Sequence, residues 1–198
     1  MKPKLIAVVG PTASGKTSLS IYLARKLDGE IISADSRQFY KEMKLGTAVP
    51  TIEELAGAPH HFIQHISVED RYSVGDFERE ALQKLDYLFQ SHEKVVMVGG
   101  SGLYINAVVH GLDEFPEVDP SIRDSLKEKL NNSGIEVLKK QLEALDPVYY
   151  AEVDKENPHR LIRALEVSIG TGKPYSSFRK NQRTQRNFKT RLIGLTAE

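Results

Sequence analysis

The stretch Leu5-Ile6-Ala7-Val8-Val9-Gly10-Pro11-Thr12-Ala13-Ser14-Gly15-Lys16-Thr17 decides the fold. A short aliphatic run ends in Gly10-Pro11-Thr12-Ala13-Ser14-Gly15-Lys16-Thr17, a full match to G-x-x-x-x-G-K-[ST]. Beyond it Leu19, Leu23, Ala24 and Leu27 fall on one stripe, so Ser18–Leu27 reads as an amphipathic helix. Strand, glycine-rich turn and helix in that order are the context in which the motif is a P-loop. Its backbone N–H groups and the helix N-terminus converge on one anion. Lys16 adds a full charge for terminal phosphates, and the Thr17 hydroxyl is placed to ligate magnesium. The motif specifies a di- or triphosphate, with ATP the default guess. It does not specify the reaction.

Working outward, Glu30–Ala34, Val95–Val98 and Arg191–Leu195 read, with Leu5–Val9, as buried parallel strands. Asp76–Gln90 reads as a second amphipathic helix, with Phe77, Ala81, Leu85 and Leu88 on its apolar stripe. Alternating strands and helices predict an α/β fold: a P-loop NTPase-like three-layer core with a mostly parallel sheet. From about residue 117 the strand signals stop. Asp119-Pro120, Asp146-Pro147 and Asn157-Pro158 each pair an N-cap side chain with proline at the first helical position. The expected organisation is a core over 1–116, a helical insertion over 117–188 and a return strand over 189–198. Because the chain stops right after that strand, where a crevice loop would begin, it reads as a piece of a longer protein.

Composition sets limits on chemistry. The 198 residues contain no cysteine, which excludes disulfides and thiolate metal sites. The N-terminal apolar run is too short for a signal peptide or a membrane span, so a cytoplasmic protein is expected, with no membrane partner and as a monomer. The formal net charge is zero, yet Asn157–Arg191 carries nine Lys and Arg against the single acid Glu166. That segment is therefore +8 and the remainder −8. Such a segment suits a polyanion, although a solvated helical face would carry the same charges.

Parallel sheets gather their reactive groups beyond the C-terminal strand ends, and two more motifs fall there. Asp35 closes the Glu30–Ala34 strand, where a carboxylate is able to ligate magnesium or accept a proton from a nucleophile; an N-cap or turn role is the alternative. Ser36, Arg37 and Gln38 follow, and a Gln amide suits the edge of an adenine. Gly99-Gly100-Ser101-Gly102 closes the Val95–Val98 strand and opens a helix, with the Ser101 hydroxyl at the crevice. His60, His61 and His65 lie close together, but with no cysteine and no H-E-x-x-H helix they are not assigned a metal. Arg160 and Arg163 share a helix face, as a salt-bridge row or as phosphate contacts.

Jointly the motifs resemble the tRNA dimethylallyltransferase family, the tRNA adenosine isopentenyltransferases. The matching pieces are GPTASGKT at 10–17, ISADSRQFY at 32–40, GTAVP at 46–50, PHH at 59–61, GGSGLY at 99–104 and NPHRLIRALEV at 157–167. Val49 stands where the family usually has Lys, and Ser101 where it often has Thr. The resemblance implies transfer of a dimethylallyl group from its diphosphate to the exocyclic amine of the adenosine beside the tRNA anticodon. It implies that Gly10 to Thr17 hold the diphosphate, with Lys16 and magnesium at Thr17 neutralising the leaving group. Asp35 would accept the amine proton, with Ser101 aligning it. The tRNA anticodon stem-loop would meet Asp35, Ser36, Arg37, Gln38, Ser101, Arg123, His159, Arg160, Leu161, Ile162 and Arg163. The family also carries an Arg just past the strand where this sequence ends, so impaired activity of this piece is expected. Rival readings are a P-loop kinase for a nucleoside or small metabolite, a prenyltransferase for free adenine nucleotides, and a catalytically silent nucleotide-binding or RNA-binding module.

Overall fold

The computed structural model describes residues 2–180 and 183–196. It divides into two compact units, Met1–Leu112 with Arg183–Glu198, and Asp113–Gln182.

The first unit is built on five parallel strands: β1 (Lys4–Val9), β2 (Ile31–Ser33), β3 (His60–His61), β4 (Lys94–Gly99) and β5 (Lys189–Gly194). Their order is β3-β2-β4-β1-β5, with Leu5 in register with Val95 and Thr190, and Ile31 with Val96. Leu5, Ala7, Val8, Ile31, Ile32, Val95, Val96 and Met97 are fully buried, as the unbroken aliphatic runs predict for a sheet covered on both faces. Helix α1 (Lys16–Leu27) covers one face, where Ala24, Leu19 and Leu23 pack with Val8, Ile31 and Val96. On the other face α3 (Val74–Leu88) and α4 (Gly102–His110) bring Phe77, Ala81, Leu85, Ile105 and Val108 against Leu5, Ile32 and Met97. The short α2 (Ile52–Gly57) lies between β2 and β3 in the chain. Thr51 with Glu54, and Ser73 with Asp76, form reciprocal capping boxes that start α2 and α3.

One strand departs from expectation. The Arg191–Leu195 run reads as buried, but among the described residues β5 is an edge strand paired with β1 alone, and Leu192 is 60% exposed. The polar Lys189, Thr190 and Arg191 that lead into it fit that position. The chain also rejoins this unit before β5 begins. Arg186 bonds the Ala107 and Val108 carbonyls, and the Phe188 ring lies 5.7 Å from that of Phe89.

Behind the β2 loop sits an aromatic cluster. Phe39 stacks on Phe77 and meets His65, Tyr72 and Tyr104 edge-on. Both ring nitrogens of His65 are buried without a hydrogen-bond partner among the described residues. Burial holds the His65 pKa below its ordinary value, opposed by Glu80 and assisted by Lys41. A histidine whose folded pKa is depressed stabilises the fold above its unfolded value of about 6.5, and that contribution is lost as pH falls below it. Stability should therefore drop between pH 7 and 5, and His65→Phe should flatten that part of the profile in chemical denaturation. An unchanged slope would show that other groups set the acid limb.

The second unit is helical: α5 (Pro120–Ser133), α6 (Ile135–Leu145), α7 (Pro147–Glu152) and α8 (Pro158–Thr171), then a 3₁₀ turn at Tyr175–Phe178. Asp119, Asp146 and Asn157 cap α5, α7 and α8 through their side chains, each with proline in the first turn. Asp146 is fully buried; it also accepts from the Ser176 N–H and hydroxyl, which fastens the 3₁₀ turn to α7. Leu126, Leu138, Leu142, Leu161, Ile162, Ala164 and Leu165 form the core of this unit. Two of the residues expected to meet tRNA contribute to it. Leu161 and Ile162 turn their side chains inward, because α8 presents its apolar stripe to α5 and α6.

Candidate active site

β2, β4 and β1 are neighbours in the sheet, so the three loops that leave their C-terminal ends share one crevice in the first unit. The P-loop follows β1. Gly15 caps α1 at φ 83°, in the left-handed region that a side chain would strain, and Ala13 accepts φ 62° nearby. Lys16 Nζ reaches back to the Pro11 carbonyl at 2.5 Å, which stretches its charge across the loop. Ser14 Oγ is buried without a partner among the described residues. An unpaired hydroxyl in a ring of backbone donors is a feature that a bound phosphate would satisfy.

The β2 and β4 loops are tied together. Gly99 lies so close to β2 that a Cβ there would meet the Ala34 carbonyl at 2.5 Å. Ser101 Oγ accepts the Ser36 N–H at 3.2 Å and lies 3.2 Å from the Ser36 hydroxyl. Asp35 Oδ1 accepts the Arg37 N–H at 3.1 Å, which braces the carboxylate in its turn. Asp35 thus makes the turn contact that was its alternative reading, and it also lines the crevice.

A cavity of about 290 Å³ is lined by Thr12, Ala13, Gly15, Lys16, Thr17, Ser18, Asp35, Arg37, Gln38, the Gly46–Ala48 loop and Glu54, whose carboxylate accepts the Thr51 N–H. Beneath it a smaller space brings Lys16, Thr17, Asp35 and Gln38 together with Ser33, His60 and Gly99. The residues expected to hold phosphate and the expected base therefore share one cavity. A larger groove of about 680 Å³ runs between α1 and α2, along Ile21, Tyr22, Arg25 and Gly57. Its lining includes none of the three crevice motifs, so size alone does not mark the chemistry here.

The Gln38 amide is engaged within the protein. Its Oε1 accepts from Ser33 Oγ at 3.0 Å, and its Nε2 donates to the Thr47 and Ala48 carbonyls at 3.2 and 2.7 Å. Both amide protons are committed, so Gln38 anchors the Gly46–Ala48 loop beside the cavity it lines. His60 is the residue that the sequence reading passed over. Its Nδ1 lies 2.7 Å from the Ala58 carbonyl, which makes Nδ1 the donor and leaves Nε2 a buried acceptor without a partner among the described residues. Burial holds its pKa low, against the Ala58 carbonyl and Glu54. The available signal was its place in the PHH motif. The neighbouring His61 instead bonds Glu30 at 2.5 Å, and among the described residues no His, Cys, Asp and Glu cluster fits a metal.

Arg123, His159, Arg160 and Arg163 lie in the second unit. Arg123 donates Nε and Nη2 to Glu166 Oε2 at 3.1 and 2.8 Å, and Arg163 Nη1 reaches the same oxygen at 3.4 Å. Burial would raise the Glu166 pKa, but the two guanidiniums outweigh it and hold the carboxyl below its ordinary value.

A parallel sheet, a glycine-rich loop between β1 and α1 and a carboxylate in the loop after β2 define an α/β protein of P-loop-like fold. The comparisons narrow the class. The chain belongs to the IPP transferase family, whose model matches residues 38–198. It is 61% identical to a tRNA dimethylallyltransferase of Christiangramia forsetii over 100% of this chain and 66% of that protein. It is 52% identical to one of Flavobacterium psychrophilum over 98% and 65%. The chain thus spans just under two thirds of the length of these relatives. A tRNA isopentenylpyrophosphate transferase from Bacillus halodurans aligns with a TM-score of 0.62 at 38% identity, covering 100% of this chain and 61% of that one. A eukaryotic dimethylallyltransferase, solved acting on tRNA, aligns with a TM-score of 0.79 at 27% identity, covering 99% and 49%.

Proposed function

We propose that the protein to which this chain belongs transfers a dimethylallyl group from dimethylallyl diphosphate to the exocyclic amine of an adenosine beside the tRNA anticodon. The carrying observation is that Asp35 lines the same cavity as Lys16 and Thr17. A phosphate grip facing the Asp35 carboxylate suits a displacement in which the C–O bond to diphosphate breaks, a C–N bond forms and Asp35 takes the amine proton. Lys16 and the P-loop N–H groups stabilise the charge that gathers on the departing diphosphate. The residues fit a magnesium ion: the Thr17 hydroxyl lines the cavity, and such ions take few protein ligands beside phosphate oxygens. When bound it would supply further charge neutralisation on the leaving group. Ser101 holds Ser36 and with it the turn that carries Asp35. The target base must leave its stack to reach this depth.

The part of the basic segment that lies in the second unit, Arg160, Arg163, Lys173, Arg179 and Lys180 against Glu166, supports RNA as the acceptor's carrier, with phosphates of the anticodon stem-loop on its arginines. Among the described residues no helix is long and apolar enough to cross a membrane. A cytoplasmic, monomeric enzyme is part of the same proposal. The test supplies full-length protein with dimethylallyl diphosphate, magnesium and unmodified tRNA, and measures the mass of tRNA nucleosides. A mass gain on one adenosine without ATP supports the reading. ATP-dependent phosphate transfer to a small acceptor sinks it in favour of a kinase, and prenylation of free adenine nucleotides alone moves the acceptor.

A further inference from the structure

Glu166 is the one acid in the basic segment Asn157–Arg191, and it is buried. Its Oε2 receives both Arg123, from α5, and Arg163, from α8. The carboxylate is 8% exposed, whereas the two arginine side chains remain 45% and 41% exposed. Arg163 is further held over the Phe115 ring at 5.3 Å, and the Phe115 ring stacks on Tyr175 at 4.8 Å. Arg123 Nη1 and Arg163 Nε and Nη2 have no acceptor among the described residues. Two guanidiniums from different helices are thus pinned at their inner edges and open at their outer ones.

We propose that Glu166 is a positioning residue that fixes Arg123 and Arg163 as a paired-guanidinium cradle for one phosphodiester of the RNA backbone. The inference rests on the reading of the second unit as RNA-binding and adds to it a residue whose own charge opposes RNA. A free arginine loses side-chain freedom when it takes up a phosphate, and a pair already held by packing and a buried carboxylate has lost most of it before binding. The bidentate geometry of guanidinium on phosphate makes that orientation count.

Charge and position predict opposite signs, which makes the proposal testable. Glu166→Gln removes a negative charge, so electrostatics alone would tighten binding of a polyanion. Loss of positioning weakens it instead, by about tenfold for two released arginines. The experiment titrates full-length protein with an unmodified anticodon stem-loop over a range of salt, and follows prenyl transfer kinetics. For Glu166→Gln the expected result is weaker binding, a raised KM for RNA, and unchanged kcat and KM for the prenyl diphosphate. The substitution should add nothing in an Arg123→Ala/Arg163→Ala background. Because Glu166 is buried, Arg123→Lys serves as a second variant: it keeps the charge but cannot span Glu166 and a phosphate together, and it should weaken RNA binding likewise. Equal or tighter binding by both variants, with Arg123→Ala/Arg163→Ala weakened, overturns the role of Glu166. If Arg123→Ala/Arg163→Ala binds RNA like the unsubstituted protein, the RNA reading of this unit falls instead.

Discussion

Asp35→Asn should lower prenyl transfer by about 100- to 10,000-fold, the range that a positioned general base contributes, and leave binding of the prenyl diphosphate nearly intact. The substitution is close to isosteric, and an Asn Oδ1 still accepts the Arg37 N–H that braces the turn. The loop, its link to Ser101 through Ser36, and the phosphate grip of Lys16 and Thr17 should all persist. What disappears is the proton acceptor proposed above. The loss should therefore appear in kcat, with the KM for dimethylallyl diphosphate changed by less than about threefold, the pattern of an interaction used only in the transition state. Single-turnover measurement with bound tRNA checks it. A variant that turns over normally would remove Asp35 from the chemistry, and one that no longer binds the diphosphate would make it a structural or metal-holding residue.

The parts of this site that are local in sequence were the legible ones. A P-loop needs particular residues within one turn, and the flanking strand and helix carry their own periodicity. Asp35 and Ser101 were found because strand ends in a parallel sheet converge, a rule that needs no contact map. The three Asp-Pro and Asn-Pro helix starts were also local, each combining a side-chain acceptor with a fixed φ. What escaped depends on partners far along the chain. Nothing near Gln38 shows that its amide is committed to Thr47 and Ala48. A two-residue strand such as His60–His61 has no periodicity to read, and it carries the imidazole into the crevice. Leu161 and Ile162 are a different case. The NPHRLIRALEV motif treats its residues alike, whereas the spacing of Leu161, Ala164, Leu165 and Ser168 already traces the buried stripe of α8.

The other large effect concerns stability, and it too comes from partners distant in sequence. Arg186→Met should destabilise the first unit by about 3 kcal/mol, the lower end of what breaking a buried ion pair costs. Arg186 donates to Glu78 at 2.5 Å, to the Val108 carbonyl at 2.8 Å and to the Ala107 carbonyl at 2.7 Å. Glu78 lies on α3, and the two carbonyls lie in the last turn of α4, where a cation also meets the negative end of the helix dipole. A single guanidinium thus joins both helices of one layer to the segment that leads into β5. The Arg186 and Glu78 side chains keep 11% and 17% exposure, which places the cost below that of a fully enclosed pair. For a chain of this size that loss corresponds to a melting temperature roughly 6–12 °C lower. Most of the penalty belongs to the orphaned Glu78 carboxylate, not to the lost attraction. Arg186→Met combined with Glu78→Gln should therefore recover part of the stability, whereas independent contributions would make the double variant worse than either single one. Thermal melts of the four proteins separate these outcomes, and a single variant that melts within about 2 °C of the parent would show that the pair is dispensable.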